Sequence, residues 1–220
     1  MIKRILMVVD AASGSVDLDL FAPVYYQFKD GDCRVTAGSV PGGEVKIAAA
    51  PTSPEARRFL DAHEDVLQCS VALTRLRSED FDAILYPDHP VFPSALAEDI
   101  ANAILLSEAA ADRKAIAAIG YGMAGLLSAV DRHGRPLLSE ARATTPSVRN
   151  ADSDPDSMAA MEDKMRQLGC RCEGRCGDEP HVVVDRLLVT GSSSVWNSAV
   201  AKALIDLLTG QGTSAVSDQE

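Results

Sequence analysis

The chain reads as an α/β protein: one domain on a mostly parallel sheet, with helices on both faces and a small β-hairpin near the C-terminus. Three observations predict this. Short runs at 5–9, 82–86 and 115–119, apolar but for Asp82 at the start of the second, are too brief for helices and too continuous for a half-solvated sheet. Segments with helix-like apolar spacing lie between them, the alternation of a parallel sheet with crossover helices. No internal repeat or flexible linker divides the 220 residues, a length that suits one large domain.

The elements follow in order. Residues 5–9 come after a basic start and meet Asp10 at once, so the run is too short for a signal-peptide core and reads as the first strand. Residues 17–30 place Leu18, Leu20, Phe21, Val24, Tyr25 and Phe28 at helical spacing, with Pro23 tolerated near the start or as a kink. A second strand at 33–37 is closed by Pro41-Gly42-Gly43. A Ser-Pro-Glu cap at Ser53 opens a helix running to about residue 66. The strand at 82–86 ends at Pro87, 95–111 is a long helix rich in Ala, Leu and Ile, and 115–119 is the next strand.

Residues 122–130 read as a further helix, followed by a polar turn at 131–135, a strand at 141–145 and an amphipathic helix at 157–168. The runs 181–184 and 187–190 flank Asp185-Arg186 as a β-hairpin, and 198–208 is the last helix. The domain therefore spans 1–208. Residues 209–220, rich in Gly, Ser, Thr and acids, are expected to form a frayed tail.

Composition narrows the partners. With 32 acidic against 21 basic residues the formal charge is −11, which would repel nucleic acid and anionic membranes. No apolar run is long enough to span a bilayer. Five cysteines cannot all pair within one chain, and a reducing, cytoplasmic setting is expected.

The densest signal is Ile116-Ala-Ala-Ile-Gly-Tyr-Gly-Met-Ala-Gly125. A buried strand runs into a sharp turn and a small-residue helix, the form of a nucleophile elbow, in which one apex residue is held above the sheet. The apex here is Gly120, which has no side chain. Glycine adopts positive φ without steric cost, so an elbow with Gly at its apex carries no strain and no nucleophile. The backbone N–H groups of Gly120 and Tyr121 remain available to a carbonyl oxygen or an anion.

Several strings set beside this elbow resemble the ThiJ/PfpI superfamily, within the flavodoxin-like class I glutamine amidotransferase-type folds and nearest its glyoxalase III and chaperone-type branch. They are Phe21-Ala-Pro-Val-Tyr-Tyr-Gln-Phe28, Phe81-Asp-Ala-Ile-Leu-Tyr-Pro87, the elbow, and Pro180-His-Val-Val-Val-Asp185 with Leu188-Val-Thr-Gly191. The resemblance covers residues 5 to about 208. It implies a Cys-His pair at the elbow of active members, in Ala-Ile-Cys-His-Gly, assisted by a Glu from the first long helix. This chain has Gly120 and Tyr121 at the elbow positions and Asp19 where the Glu would stand. Asp88-His89-Pro90-Val91 replaces the Gly-Gly-His-Gly loop after the third strand. Glyoxalase III or deglycase activity is therefore not implied, whereas a homodimer is.

These residues define three expectations. In the first, the chain is a cofactor-independent enzyme (lyase, hydratase, isomerase or hydrolase) acting on a small carbonyl-type substrate. Asp19, with a pKa raised by burial, Tyr121 and His89 move protons, and Gly120, Tyr121, Asp88, Trp196 and Cys176 line the substrate. In the second, it is a non-catalytic binding, regulatory or chaperone-like module. In the third, Cys170, Cys172, Cys176 and His181 bind a metal, or Cys176 acts as a thiol, although Cys-x-Cys-x3-Cys is not a zinc-ribbon spacing. No cofactor is expected: Gly120-Tyr121-Gly122 lacks the third glycine and the acidic partner of a dinucleotide fingerprint.

Overall fold

In the computed structural model, residues 2–12, 15–146, 155–174 and 181–210 are described. The elements are β1 (Arg4–Val9), α1 (Leu18–Asp30), β2 (Arg34–Ser39), α2 (Pro54–His63), α3 (Asp65–Gln68), β3 (Val71–Ala72), β4 (Ala83–Tyr86) and α4 (Ser94–Glu98). They continue as α5 (Ile100–Ala111), β5 (Ala115–Ile119), β6 (Arg142–Thr144), α6 (Pro155–Gln167), β7 (Arg171–Glu173), β8 (Val182–Asp185), β9 (Leu188–Gly191) and α7 (Asn197–Thr209). Seven strands form one sheet in the order β3-β2-β1-β4-β5-β9-β8. Its pairs are parallel except β8 against β9, so the predicted hairpin lies inside the main sheet and makes one of its edges. Strands β6 and β7 form a separate parallel pair.

The strand sequences show why both faces are covered. Along β1, Ile5, Met7 and Val9 enter one apolar cluster, while Leu6 and Val8 enter the other. Strands β4 and β5 divide their residues in the same way, with Leu85 and Ala117 on the first face and Ile84 and Ala118 on the second. Helices α1, α2 and α7 pack on the first face; α5, α6 and the segment after β5 pack on the second. Period-2 alternation with two apolar faces is what a doubly covered parallel sheet requires. Among the described residues, no helix is long and apolar enough to cross a membrane.

Three predicted helices differ in detail. The helix at 53–66 is two pieces, α2 and α3, meeting at Glu64. The helix at 95–111 breaks at Asp99, which is extended and caps α5 by accepting the Asn102 N–H at 2.7 Å. A side chain that competes for backbone donors starts a helix more readily than it continues one. The helix at 122–130 is instead a 3₁₀ segment, Gly120–Leu126. Its backbone lies directly on the end of β4: a Cβ at Gly122 would sit 2.3 Å from the Pro87 carbonyl oxygen, and one at Gly125 2.6 Å from the Tyr86 ring.

Asn102 fastens this segment from within the core. Fully buried, it accepts the Tyr86 hydroxyl at 2.6 Å and donates from Nδ2 to the Gly125 carbonyl at 2.7 Å. An apolar residue there would strand two buried polar groups. Asn102→Leu is therefore expected to lower the unfolding free energy by about 3 kcal/mol in chemical denaturation.

Candidate functional site

The chain passes from β1 by way of α1 to β2 on one side, then returns to β4 on the other. Ligands in open α/β sheets bind outside the carboxyl ends of the strands at such a reversal. Four segments meet there: Asp10 after β1, Asp88-His89 after β4, Gly120-Tyr121 after β5, and Ser192-Ser193-Ser194 after β9.

Gly120 takes a left-handed φ of 52° at the elbow. A Cβ built on it would lie 2.1 Å from Asp88 Oδ1 and 2.3 Å from Asp88 Cγ. The Asp88 carboxylate therefore occupies the volume of the missing apex side chain, and only glycine fits beneath it.

Asp88 holds three pieces of backbone at once. Its Oδ1 accepts the N–H of Tyr121 and of His89, each at 2.9 Å, and its Oδ2 accepts the N–H of Ser194 at 3.0 Å. Burial pushes its pKa up to about 6 against the opposing pull of these donors. The residue keeps a partial opening to solvent. The Tyr121 N–H, expected to be open to a substrate oxygen, is thus committed to a carboxylate of the chain itself. The elbow also lacks a long helix behind it, since the 3₁₀ segment is short.

His89 is 7% exposed, and its Nε2 has no hydrogen-bond partner. Burial pulls its pKa down to about 4, partly countered by the Asp10 carboxylate. It is therefore a neutral imidazole at physiological pH. Tyr121 is also buried, with its ring edge-on to Phe92 at 6.3 Å.

Asp19 departs from the expectation of a raised pKa. Its carboxylate accepts the backbone N–H and side-chain hydroxyl of both Thr52 and Ser53. Although burial pushes its pKa up, these four donors outweigh it and hold the group well below the usual carboxylate range. Asp19 ties the first turn of α1 to the cap of α2 and stays ionised, which is unsuited to proton transfer near neutrality.

Trp196 is half-buried and precedes α7, two residues beyond the Ser194 amide held by Asp88. Cys170 is buried, donates to the Ala141 carbonyl, and has its thiol pKa pushed up to about 12, mainly by burial. Cys172 is half-buried on β7. Cys176 lies outside the described residues; among those described, no group of three His, Cys, Asp or Glu is arranged to hold a metal.

The sequence reading placed Asp88 among lining residues and missed its central position, together with Ser193, Ser194 and Asn197. Ser193 Oγ and Asn197 Oδ1 are buried without partners, while Asn197 Nδ2 donates to the Leu20 carbonyl at 3.2 Å. The usable signal was the pairing of a side-chain-free apex with an acid at the end of the adjacent strand.

The fold and this site define a flavodoxin-like α/β domain with an elbow at its carboxyl edge. No family profile matches the chain. The glutamine amidotransferase-like class 1 domain-containing protein 1 of Xenopus laevis is 26% identical over 176 residues, covering 79% of this chain and 77% of that protein. Among solved structures, Rapid Encystment Protein 24 kDa of Francisella tularensis aligns at TM-score 0.78 and 19% identity, over 94% of this chain and 99% of that one. Glyoxalase III of Candida albicans aligns at 0.76 and 15% identity, over 93% and 97%. The chain thus has the fold of the ThiJ/PfpI and DJ-1 structures and is similar in sequence to glutamine amidotransferase-like class 1 domain-containing protein 1.

The two shifted groups at the site make opposing contributions to stability. Asp88 binds its proton more tightly when folded, so its contribution is complete below its ordinary 3.8 and lost as pH rises through about 6. His89 binds its proton less tightly when folded, so its contribution is present above its ordinary 6.5 and lost as pH falls towards about 4. Relative to wild type, Asp88→Asn should make unfolding free energy rise more steeply with pH between about 4 and 6. His89→Gln should make it rise less steeply than in wild type. Denaturation series across this window should show slope changes of roughly 1.4 kcal/mol per pH unit, of opposite sign.

Proposed function

We propose that the chain is a cofactor-independent enzyme that moves a proton on a small carbonyl-type substrate, in the manner of a lyase, hydratase, isomerase or hydrolase. One observation carries this reading: a largely buried carboxylate with a pKa of about 6 fills the elbow apex, held by three backbone N–H groups, on a residue that is itself only half-buried. Elbow amides that would stabilise an oxyanion beside a nucleophile here position a base. A base with a pKa near the working pH is ionised enough to take a proton and weak enough to return it.

The roles of the other residues follow from their surroundings. His89 is a neutral imidazole with a buried, unpartnered Nε2, suited to a hydroxyl or carbonyl group. Ser193 Oγ, from the loop after β9, and Asn197 Oδ1, from the first residue of α7, add two unpartnered polar atoms. Tyr121 and Trp196 form apolar walls, and Asp19 braces the start of α1 against α2. Gly120 offers no atom for attack, so thiol chemistry of the Cys-His type is absent from this proposal. The net charge of −11 favours a small molecule over nucleic acid or membrane as partner, and the superfamily resemblance favours a cytoplasmic homodimer.

A second reading, a non-catalytic binding module, is supported by the occupied Tyr121 N–H, which needs no ligand to be satisfied. Proton exchange in deuterated buffer separates the two. Small aldehydes, ketones and hydroxy acids are followed by NMR for deuterium uptake beside the carbonyl. Wild type should accelerate exchange on a subset, with a rate rising through a midpoint at about pH 6, where the Asp88 carboxylate ionises. Asp88→Asn should lose about a hundredfold or more while remaining folded. Absence of exchange across the panel, or full activity in Asp88→Asn, would contradict the enzyme reading.

A further inference from the structure

The opposite end of the sheet carries a second feature, independent of the elbow. A cavity of about 320 Å³ opens where β5 and β9 begin, lined by the turn after α5, the 131–137 loop, the approach to β6 and the β8–β9 turn. Its volume matches the lower range of small-ligand sites. Ile116, Leu137 and Leu188 contribute apolar surface, and Arg113, Lys114, Arg135 and Arg186 contribute four cations.

The charges are unevenly compensated. Arg135 pairs with Asp131 at 2.9 Å and Arg186 with Asp185 at 3.3 Å. Both acids are also engaged by backbone: Asp131 accepts the N–H of His133 and Arg135, and Asp185 that of Arg142. Arg113 and Lys114 have no ion pair among the described residues, and Glu140 is the remaining acid of the lining. In a chain of net charge −11, this end carries a local surplus of positive charge.

Backbone conformation points to the same place. Four described non-glycine residues have left-handed φ, and three of them line this cavity: Arg113 at 55°, Glu140 at 61° and Arg186 at 56°. Glycine takes that conformation at least cost, so three charged side chains on left-handed backbone are concentrated around this one cavity.

The geometry points to a binding site for a small organic anion, with an aryl or short acyl body against Ile116, Leu137 and Leu188 and its carboxylate, sulfonate or phosphate between Arg113 and Lys114. The site lies at the amino ends of the strands whose carboxyl ends flank the elbow, about 16 Å away along β5. Its occupancy is therefore separable from events at Asp88.

The probe is 8-anilinonaphthalene-1-sulfonate, an apolar body bearing one anion, titrated by fluorescence against the whole chain. Wild type should bind one equivalent saturably and more weakly in high salt, because the contact is partly ionic. Arg113→Gln with Lys114→Gln should weaken binding about tenfold at an unchanged melting temperature, a loss consistent with two exposed charge contacts. Asp88→Asn should bind the probe as wild type does. Absence of saturable binding, or a double variant that binds within about twofold of wild type, overturns the proposal.

Discussion

A single buried carboxylate organises the carboxyl edge of this sheet. Asp88 accepts backbone N–H groups from its own strand end, from the elbow after β5 and from the loop after β9. Hydrogen bonds to a charged acceptor contribute about 1.5–3 kcal/mol each, so this one group sets the relative positions of three loops. The 3₁₀ segment and the start of α7 inherit that arrangement. Burial still wins the contest over its pKa, leaving the carboxylate near 6 instead of far below 4. The same desolvation that makes Asp88 costly to ionise suits it to exchanging a proton.

Gly120 takes on a different meaning beside this carboxylate. A glycine at a left-handed apex relieves strain, and conformational freedom alone would account for it. The position of Asp88 adds a second and stronger requirement, because a Cβ on Gly120 would lie 2.1 Å from its Oδ1 and displace the acid. The apex is filled from the neighbouring strand instead of from its own residue.

How far the sequence foretells this depends on the physical range of each signal. Strands β1, β4 and β5 are legible because apolar runs of four or five residues admit few other readings. The break at Asp99 was partly legible, an acid in cap position within an apolar stretch, but continuity of the Ala-Leu-Ile pattern masked it. The two residues of β3 are too short to carry a period. The 3₁₀ conformation of Gly120–Leu126 arises from contact with Tyr86 and Pro87, more than thirty residues away, which no local pattern encodes. Asp19 was found by spacing, yet its low pKa depends on Thr52 and Ser53, again distant in sequence. Asp88 and His89 were recognised as site residues, while the contact of Asp88 with Gly120 required the fold. The two ends of the sheet also differ in kind: buried carboxylates and a neutral imidazole at one, exposed cations around an apolar cavity at the other.

The mutual dependence of Asp88 and Gly120 is most directly measured by a double-mutant cycle of Gly120→Ala and Asp88→Ala, read as unfolding free energies near neutral pH. With Asp88 present, the added methyl must displace the carboxylate, and Gly120→Ala should cost about 3 kcal/mol or more. In the Asp88→Ala background only the left-handed backbone cost of about 1 kcal/mol should remain. The resulting coupling is about 2 kcal/mol, well beyond the additivity expected of independent sites. Equal costs of Gly120→Ala in both backgrounds would contradict the assignment of Asp88 to the apex.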